Sequence, residues 1–269
     1  MPSHGLATSP ADERAVAGTV AAGVACAASH AVHDRAPGLR AGTSGRGPPL
    51  RLLVAGDSGA AGVGAPTQEQ GLCGQLVRCL SPHHTVHWCV LAANGLDSPG
   101  LLKLLEEAPS ARFDVVVLSI GANDAAGLLN PLQWARWQDR LATLIDHRFR
   151  TAWQVHSAVP PMQACLALPQ PLRWFMGRWA RQMTETLAGM LAVPSARFMH
   201  WHPATTMTLG MSMDGIHSSA TGYAFWAEDL SPHILASAAG LPDRGRRSER
   251  VTEFAGAQTD HAIGGQYKG

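Results

Sequence analysis

LRLLVAGDSGAAGVG, residues 50–64, is the stretch of sequence that decides the fold. Its first part, Leu50 to Ala55, is apolar apart from Arg51 and is stopped by Gly56. A short apolar run that ends at a glycine is typical of a buried strand. The small residues that follow predict a tight turn with Ser58 at the carboxyl end of the strand. In open α/β sheets, ligands bind outside the carboxyl ends of the strands.

A serine in this position becomes a nucleophile only if a base takes its proton and hydrogen-bond donors stabilise the oxyanion. Two later motifs offer those groups. Gly121-Ala122-Asn123-Asp124 follows a second apolar run, residues 115–120, and so also lies at a strand end. Asp214-Gly215-Ile216-His217 lies near the end of the globular part, and its Asp and His predict a base with an orienting carboxylate.

These motifs, in this order, resemble the sequence blocks of the SGNH or GDSL-type hydrolases, a family of serine esterases and lipases. Gly56-Asp57-Ser58 is similar to the first block, and Gly95, within residues 93–98, is similar to the second. Residues 121–124 and 214–217 are similar to the third and fifth blocks. The resemblance covers about residues 50 to 239.

The resemblance implies a role for each matched residue. Ser58 is the expected nucleophile, His217 is the base and later the acid, and Asp214 orients the imidazole. The expected oxyanion hole consists of the backbone N–H groups of Ser58 and Gly95 and the side-chain amide of Asn123. This chemistry needs neither a metal nor a cofactor, and none is predicted.

Four further residues of the blocks are expected to affect structure or substrate fit. Asp57 and Asp124 are predicted to brace their loops through hydrogen bonds to the backbone. Gly59 stands where the family motif has Leu, which predicts a looser turn, and Ser218 follows His217 where many relatives have Pro. Neither difference removes a reacting group, so both bear on substrate fit.

Segments of strand and helix type alternate along the chain, which predicts parallel βαβ units. We therefore predict an α/β fold, a three-layer αβα sandwich with a five-stranded parallel sheet. The resemblance implies the flavodoxin-like SGNH hydrolase fold with strand order 2-1-3-4-5. The predicted strands are residues 50–55, 85–91, 115–120, 151–159 and 196–201, and the predicted helices are residues 68–80, 98–107, 131–148, 172–191 and 220–239.

The domain boundaries are predicted from composition. Residues 50–239 form the catalytic domain, and residues 240–269 form a polar C-terminal tail. Residues 1–49, rich in Ala, Gly and Ser, are either a low-complexity tail or a weak export segment. Residues 15–28 are mildly apolar and contain Ala25-Cys26-Ala27, but no basic segment precedes them. The tail is the favoured interpretation, and the cytoplasm is slightly favoured over export.

Composition argues against some classes of partner. The 269 residues carry a net charge of +1 with no basic cluster, which argues against a nucleic-acid binder. No segment is apolar enough for an integral membrane span. The expected partner is a small-molecule ester, and the oligomeric state is left undetermined. Five cysteines without metal-ligand spacing predict buried thiols in a reducing compartment, with a Cys79–Cys89 disulfide left open.

Two other groups of residues have weaker signals. The histidines at residues 83–84 and 200–202 suggest a metal, but no carboxylate or cysteine lies at supporting spacing, so surface histidines are favoured. Trp174 and Phe175 follow a Pro-rich connection and suggest the wall of an acyl pocket. Since they lie on a long predicted helix, core residues are the favoured interpretation.

The function predicted from this sequence is a serine carboxylesterase that cleaves short-chain acyl esters through an acyl-enzyme on Ser58. The same groups serve an acyltransferase, a thioesterase or a carbohydrate deacetylase, because the nucleophile does not choose the acceptor. An inactive binding module that kept the fold is the alternative of another class. It is disfavoured because every expected reacting group is present.

Overall fold

A computed structural model of the chain describes residues 35–191, 198–201 and 210–239. Most of the predicted N-terminal tail, including the candidate export segment at residues 15–28, lies outside the described residues. The predicted polar tail, residues 240–269, lies outside them as well.

The centre of the molecule is a six-stranded sheet with the order β1-β3-β2-β4-β5-β6. Strands β2 to β6 run parallel to one another. Their order, β3-β2-β4-β5-β6, is the predicted 2-1-3-4-5, so the α/β fold is confirmed. The strands are β1 (Ala41–Ser44), β2 (Pro49–Gly56), β3 (Thr85–Ala92), β4 (Val115–Ser119), β5 (Trp153–Ser157) and β6 (Phe198–Trp201).

Strand β1 is an addition to the five predicted strands. It pairs antiparallel with β3 at the edge of the sheet, with Ala41 opposite Cys89. Arg40 fixes its start, because the guanidinium donates a hydrogen bond to the Ala92 carbonyl oxygen at 2.6 Å. The sequence assigned this segment to the N-terminal tail. Its residues, Ala-Gly-Thr-Ser, carry too little apolar alternation to predict a strand.

Helices cover both faces of the sheet, as the predicted three-layer arrangement requires. On one face, Leu52 and Val54 of β2 pack in a cluster with α1 and α6. On the other face, Leu53 and Ala55 pack in a cluster with α2 and α4. The helices are α1 (Leu72–Leu80), α2 (Ser98–Glu107), α3 (Ala122–Ala126), α4 (Pro131–Phe149), α5 (Leu172–Leu191) and α6 (Ala220–Ala239), with a short 3₁₀ turn at Met162–Ala164.

Burial on both faces explains why β2 is apolar without alternation. Leu52, Leu53, Val54 and Ala55 all have no exposed surface. A strand that is covered on both sides selects apolar residues at every position, as is usual for parallel sheets.

Two predictions about side chains are tested by the structure. Trp174 is 60% exposed, so the prediction of a core residue is wrong for it, whereas Phe175 packs against the buried cluster around α5. Trp174 lies at the start of α5, where its ring contacts the Arg178 guanidinium rather than the core. Cys79 and Cys89 are free thiols and form no disulfide with each other.

A helix that crosses a membrane must be both long and apolar. Within residues 35–191 and 210–239, no helix combines the length and apolar character that a membrane span requires.

Gly56 at the end of β2 generates a stability prediction. Its φ of 151° disfavours any side chain, and a Cβ there would overlap the Ser119 carbonyl oxygen. We expect Gly56→Ala to lower the free energy of unfolding by at least about 2 kcal/mol, measured by urea denaturation.

The matched control is Gly189→Ala on helix α5, where a Cβ would contact nothing within 4 Å. This change should raise stability by up to about 1 kcal/mol, because Ala favours helix more than Gly. A Gly56→Ala variant as stable as the wild type would contradict this prediction, because it would show that the backbone at Ser119 can move to make room for a side chain.

Candidate active site

The turn that carries Ser58 is fixed against the neighbouring strand. The Asp57 backbone N–H donates to the Ser119 carbonyl oxygen at 2.9 Å, directly after the close approach at Gly56. The turn then closes on itself, because the Val63 N–H donates to the Ser58 carbonyl oxygen at 3.0 Å. Ser58 is therefore held at the carboxyl end of β2, beside the end of β4, and it is partly exposed.

The Asp57 carboxyl group stabilises the turn through a hydrogen bond. It is buried and accepts a hydrogen bond from the Gly59 N–H at 3.0 Å. Burial raises the pKa of Asp57 to about 7, and the nearby Asp124 adds to this rise, while hydrogen bonds from the Gly59 and Ala122 backbone lower it. The contact with Gly59 is the bracing that the sequence predicts for Asp57.

The space beside Gly59 is filled by other residues. A Cβ at this position would lie 2.8 Å from the Ser119 Oγ and 3.9 Å from Cζ3 of the buried Trp226. The Ser119 hydroxyl and the Trp226 indole thus approach the position at which the family motif has Leu. The turn is packed, rather than loose as the sequence predicted.

Asp214 and His217 form a directly bonded pair. The His217 Nδ1 lies 2.7 Å from the Asp214 Oδ2, and both side chains are largely buried. The other oxygen, Oδ1, accepts hydrogen bonds from the backbone N–H groups of Ile216 and His217 at 2.9 Å. Partial burial opposes the charge, but the hydrogen bonds from His217 and Ile216 outweigh it and lower the pKa of Asp214 to about 2.

A tight loop gives this pair its geometry. Met211 and Ser218 pair as an antiparallel bridge, so the chain reverses between them. The Ser212 N–H donates to the His217 carbonyl oxygen at 2.8 Å, and Gly215 adopts a φ of 67° at the tip. Gly215 permits the reversal because a residue with a side chain is strained at this φ.

The Ser58 turn packs directly against the His217 loop. A Cβ added at Gly64 would overlap the Ser218 carbonyl oxygen and lie 3.1 Å from the His217 Cβ. The hydroxyl of Tyr223, on α6, donates to the Val63 carbonyl oxygen at 2.7 Å. Tyr223 stays a neutral donor, because burial raises its pKa, with the carboxylates of Asp57 and Asp214 adding to the effect.

Gly95 and Asn123 lie on the segments that follow β3 and β4, the two strands that flank β2. Gly95 has a φ of 80° and is exposed, and a Cβ there would contact nothing within 4 Å. Asn123 lies in the first turn of α3, directly after the end of β4. Its side-chain Nδ2 donates to the Leu96 carbonyl oxygen at 2.7 Å, which leaves a second N–H on the same amide.

The carboxylate of Asp124 is buried beside this pair and accepts hydrogen bonds from Ser98. Burial raises the pKa of Asp124 to about 6, while the bonds from Ser98 lower it. Sequence reasoning expected Asp124 to brace its own loop, but its partner lies on the Gly95 loop. Sequence reasoning assigned no role to Ser98, although it is the last residue of the second block, because a serine at the start of a helix gives no sign of a distant partner. It also missed Tyr223, which belongs to no block.

The structure describes part of the histidine groups at residues 83–84 and 200–202, which the sequence suggested as metal ligands. His83 is exposed, and the His84 Nδ1 lies 3.1 Å from the Pro48 carbonyl oxygen. Within the described parts of the chain, no three His, Cys, Asp or Glu side chains cluster in a way that could hold a metal ion. His202 lies outside the described residues.

Comparison with known proteins identifies the family. The model of the GDSL-like lipase/acylhydrolase family matches residues 54–225, more than half of the 269-residue chain. The chain belongs to this family. Membership indicates an ester hydrolase and confirms the resemblance stated from the motifs.

Solved structures share the fold at low sequence identity. The extracellular lipase of Streptomyces rimosus is 18% identical with a TM-score of 0.50, covering 70% of this chain and 99% of its own. A carbohydrate esterase family 2 enzyme of Myceliophthora fergusii is 15% identical with a TM-score of 0.58, covering 73% and 68%. A G-D-S-L family lipolytic protein of Veillonella parvula is 14% identical with a TM-score of 0.52, covering 69% and 98%. A search among curated proteins finds no match.

The raised pKa of Asp57 predicts a pH-dependent stability. Its value of about 7 in the folded protein exceeds the ordinary value near 3.9, so the folded state binds the proton more tightly. The resulting stabilisation is complete below about pH 4 and is lost as the pH rises through 7. We expect the free energy of unfolding to fall by roughly 1 kcal/mol per pH unit between pH 5 and 7 on account of Asp57.

The control is Asp57→Asn, which keeps an oxygen for the Gly59 N–H but cannot titrate. The free energies of unfolding of the wild type and of Asp57→Asn are measured by urea denaturation across this pH range. Their difference isolates the titration of Asp57, because Asp124 and His87 titrate in both proteins. Burial raises the pKa of Asp124 and lowers that of His87. Parallel curves for the wild type and Asp57→Asn would show that Asp57 is ionised throughout this range.

Proposed function

We propose that this chain is a serine carboxylesterase that cleaves short-chain acyl esters, with Ser58 as nucleophile. The observation that carries the proposal is the 2.7 Å bond between Asp214 and His217, on a loop packed against the Ser58 turn. Membership of the acylhydrolase family supplies the reaction type.

The first step is the attack of the Ser58 hydroxyl on the ester carbonyl. Asp214 is ionised at neutral pH and accepts only, so the proton between the two side chains belongs to Nδ1 of His217. The opposite ring nitrogen, Nε2, is then the base that takes the Ser58 proton. Asp214 stabilises the imidazolium and does not take the proton itself.

The negative charge that develops on the carbonyl oxygen needs preorganised donors. The backbone N–H groups of Ser58 and Gly95 and the second N–H of the Asn123 amide fill this role in the proposal. Asn123 and the Gly95 loop already hold each other through Leu96, so little reorganisation is required when the charge appears.

The remaining steps release both products. His217 gives its proton to the leaving alcohol, and Ser58 keeps the acyl group as an ester. Water then attacks this acyl-enzyme while His217 takes its proton, and the imidazolium returns a proton to Ser58 as the acid leaves. The oxyanion donors act in both halves of the cycle.

Openness beside Gly95 supports a preference for small acyl groups. A Cβ at Gly95 would contact nothing within 4 Å, and the residue is exposed, so this position lies at an open surface. Among the described connections, none forms an extra folded domain that covers this position. Such a site offers little enclosed apolar area, and burial of each additional CH₂ is the source of long-chain preference.

Substitution of the proposed catalytic groups should separate their roles. We expect Ser58→Ala to lower kcat by about 10³-fold or more and Asn123→Ala to lower it by about 10²–10³-fold with KM little changed. The readout is steady-state hydrolysis of an aryl acetate. Ser110→Ala, at an exposed loop serine, is the matched control. Full activity in Ser58→Ala would disprove the assigned nucleophile.

The acyl preference is tested with aryl esters of increasing acyl length. We expect kcat/KM to be highest for acetate to butyrate and to fall for longer chains. A maximum at long chains would contradict the short-chain assignment. The panel also includes thioesters, acetylated sugars and reactions with added alcohol. Preferred turnover of one of these would indicate a thioesterase, a carbohydrate deacetylase or an acyltransferase, respectively. If Ser58 does not react with an organophosphonate, the alternative of an inactive binding module is favoured.

A further inference from the structure

We propose that Ser98 and Asp124 act as positioning residues that hold the two outer donors of the oxyanion hole at a fixed separation. We call this buried pair the Ser98–Asp124 latch. The inference deepens the proposed function and rests on it, because it concerns the geometry of Gly95 and Asn123.

The latch consists of three hydrogen bonds to one carboxylate. The Ser98 backbone N–H lies 3.1 and 3.2 Å from the two Asp124 oxygens, and the Ser98 Oγ donates to Oδ2 at 2.9 Å. Ser98 has no exposed surface and Asp124 is 3% exposed, so water does not compete for these bonds. Hydrogen bonds to a charged group in such surroundings are stronger than neutral ones.

Its position in the chain connects the latch to the oxyanion hole. Ser98 lies three residues after Gly95, and Asp124 directly follows Asn123. A second bond, from the Asn123 amide to the Leu96 carbonyl oxygen, joins the same two segments. The two connections close a small ring, which fixes the Gly95 N–H relative to the Asn123 amide.

Helix capping does not account for the latch. Asp97 already caps α2, because its side chain accepts the Gly100 N–H at 2.8 Å. Burial of a carboxylate opposes folding, so a second acidic partner for the start of α2 needs another reason. Control of the oxyanion-hole geometry provides one.

The latch is itself anchored in the core of the fold. The Ser98 Oγ accepts a hydrogen bond from Gln138 Nε2 at 3.3 Å, and the Gln138 Oε1 lies 3.1 Å from the His156 Nδ1. Gln138 lies on α4 and His156 on β5, and both are buried. The Ser98 hydroxyl therefore has one orientation, accepting from Gln138 and donating to Asp124.

The test uses Ser98→Ala and Asp124→Asn in the full-length chain, with Asp97→Asn as matched control. Asn caps a helix as well as Asp does, so the control makes the same chemical change at the residue before Ser98 and removes no hydrogen bond of the latch. It removes only the charge of Asp97, which adds to the raised pKa of Asp124. We expect the two latch variants to lower kcat for an aryl acetate about 10–100-fold with KM within about threefold, because a misplaced donor affects the transition state most. Asp97→Asn should keep the wild-type kcat.

A second readout does not depend on activity. Amide hydrogen exchange of residues 94–98 should be at least about tenfold faster in the latch variants, with protection of β2 and β4 unchanged. Wild-type kcat in both variants, or unchanged exchange in this loop, would overturn the proposal. Should Asp124→Asn fail to fold, Ser98→Ala decides, since it keeps the backbone bond to Asp124. If the wild type hydrolyses no ester, the proposed function fails, and the exchange measurement alone decides on the latch.

Discussion

The structure depends on one close backbone contact between its two central strands. At the carboxyl end of β2, Gly56 approaches the Ser119 carbonyl oxygen of β4 so closely that no side chain fits between them. The same oxygen accepts the Asp57 N–H, so the chain must turn there. Because β4 continues directly into α3, this contact also sets Ser58 beside the helix turn that carries Asn123. This single contact links the first sequence block, which contains Ser58, to the strand that leads into the third block, which contains Asn123.

The three carboxyl groups around the proposed site differ in the direction in which their pKa is shifted, and the difference follows from their surroundings. Asp57 and Asp124 are deeply buried, and burial raises the pKa of both. Asp214 is less deeply buried and accepts three hydrogen bonds from His217 and Ile216, which lower its pKa to about 2. The first two are suited to bracing loops, whereas the third can hold an imidazolium. Such a division of roles by environment is general among enzymes with several carboxylates.

Much of the fold could be predicted from the sequence because burial leaves a pattern. β2 and β4 are covered on both faces, so their sequences are apolar apart from Arg51 and end at glycine or serine. Edge strand β1 lacks that signal, since Ala-Gly-Thr-Ser buries little, and it was missed. Trp174 was misassigned for the opposite reason, because an aromatic residue on a long helix usually faces the core.

Within the candidate site, the side-chain contacts that residue spacing could predict are those between neighbours in sequence. Asp214 and His217 lie on one loop, so their bond follows from local spacing. The bonds from Ser98 to Asp124 and from Tyr223 to Val63 join distant segments through single side chains. No periodicity or motif encodes such tertiary pairs, and they emerge only when the sheet brings the loops to one edge.

The proposed function requires Ser58, His217, the Gly95 N–H and the Asn123 amide to converge in a single cleft. A crystal structure of the protein after reaction with an organophosphonate ester tests this most directly. We expect phosphorus bonded to the Ser58 Oγ, with the phosphonyl oxygen about 2.7–3.1 Å from the Ser58 N, Gly95 N and Asn123 Nδ2. Phosphorus on another residue, or a phosphonyl oxygen directed away from these three nitrogens, would contradict it.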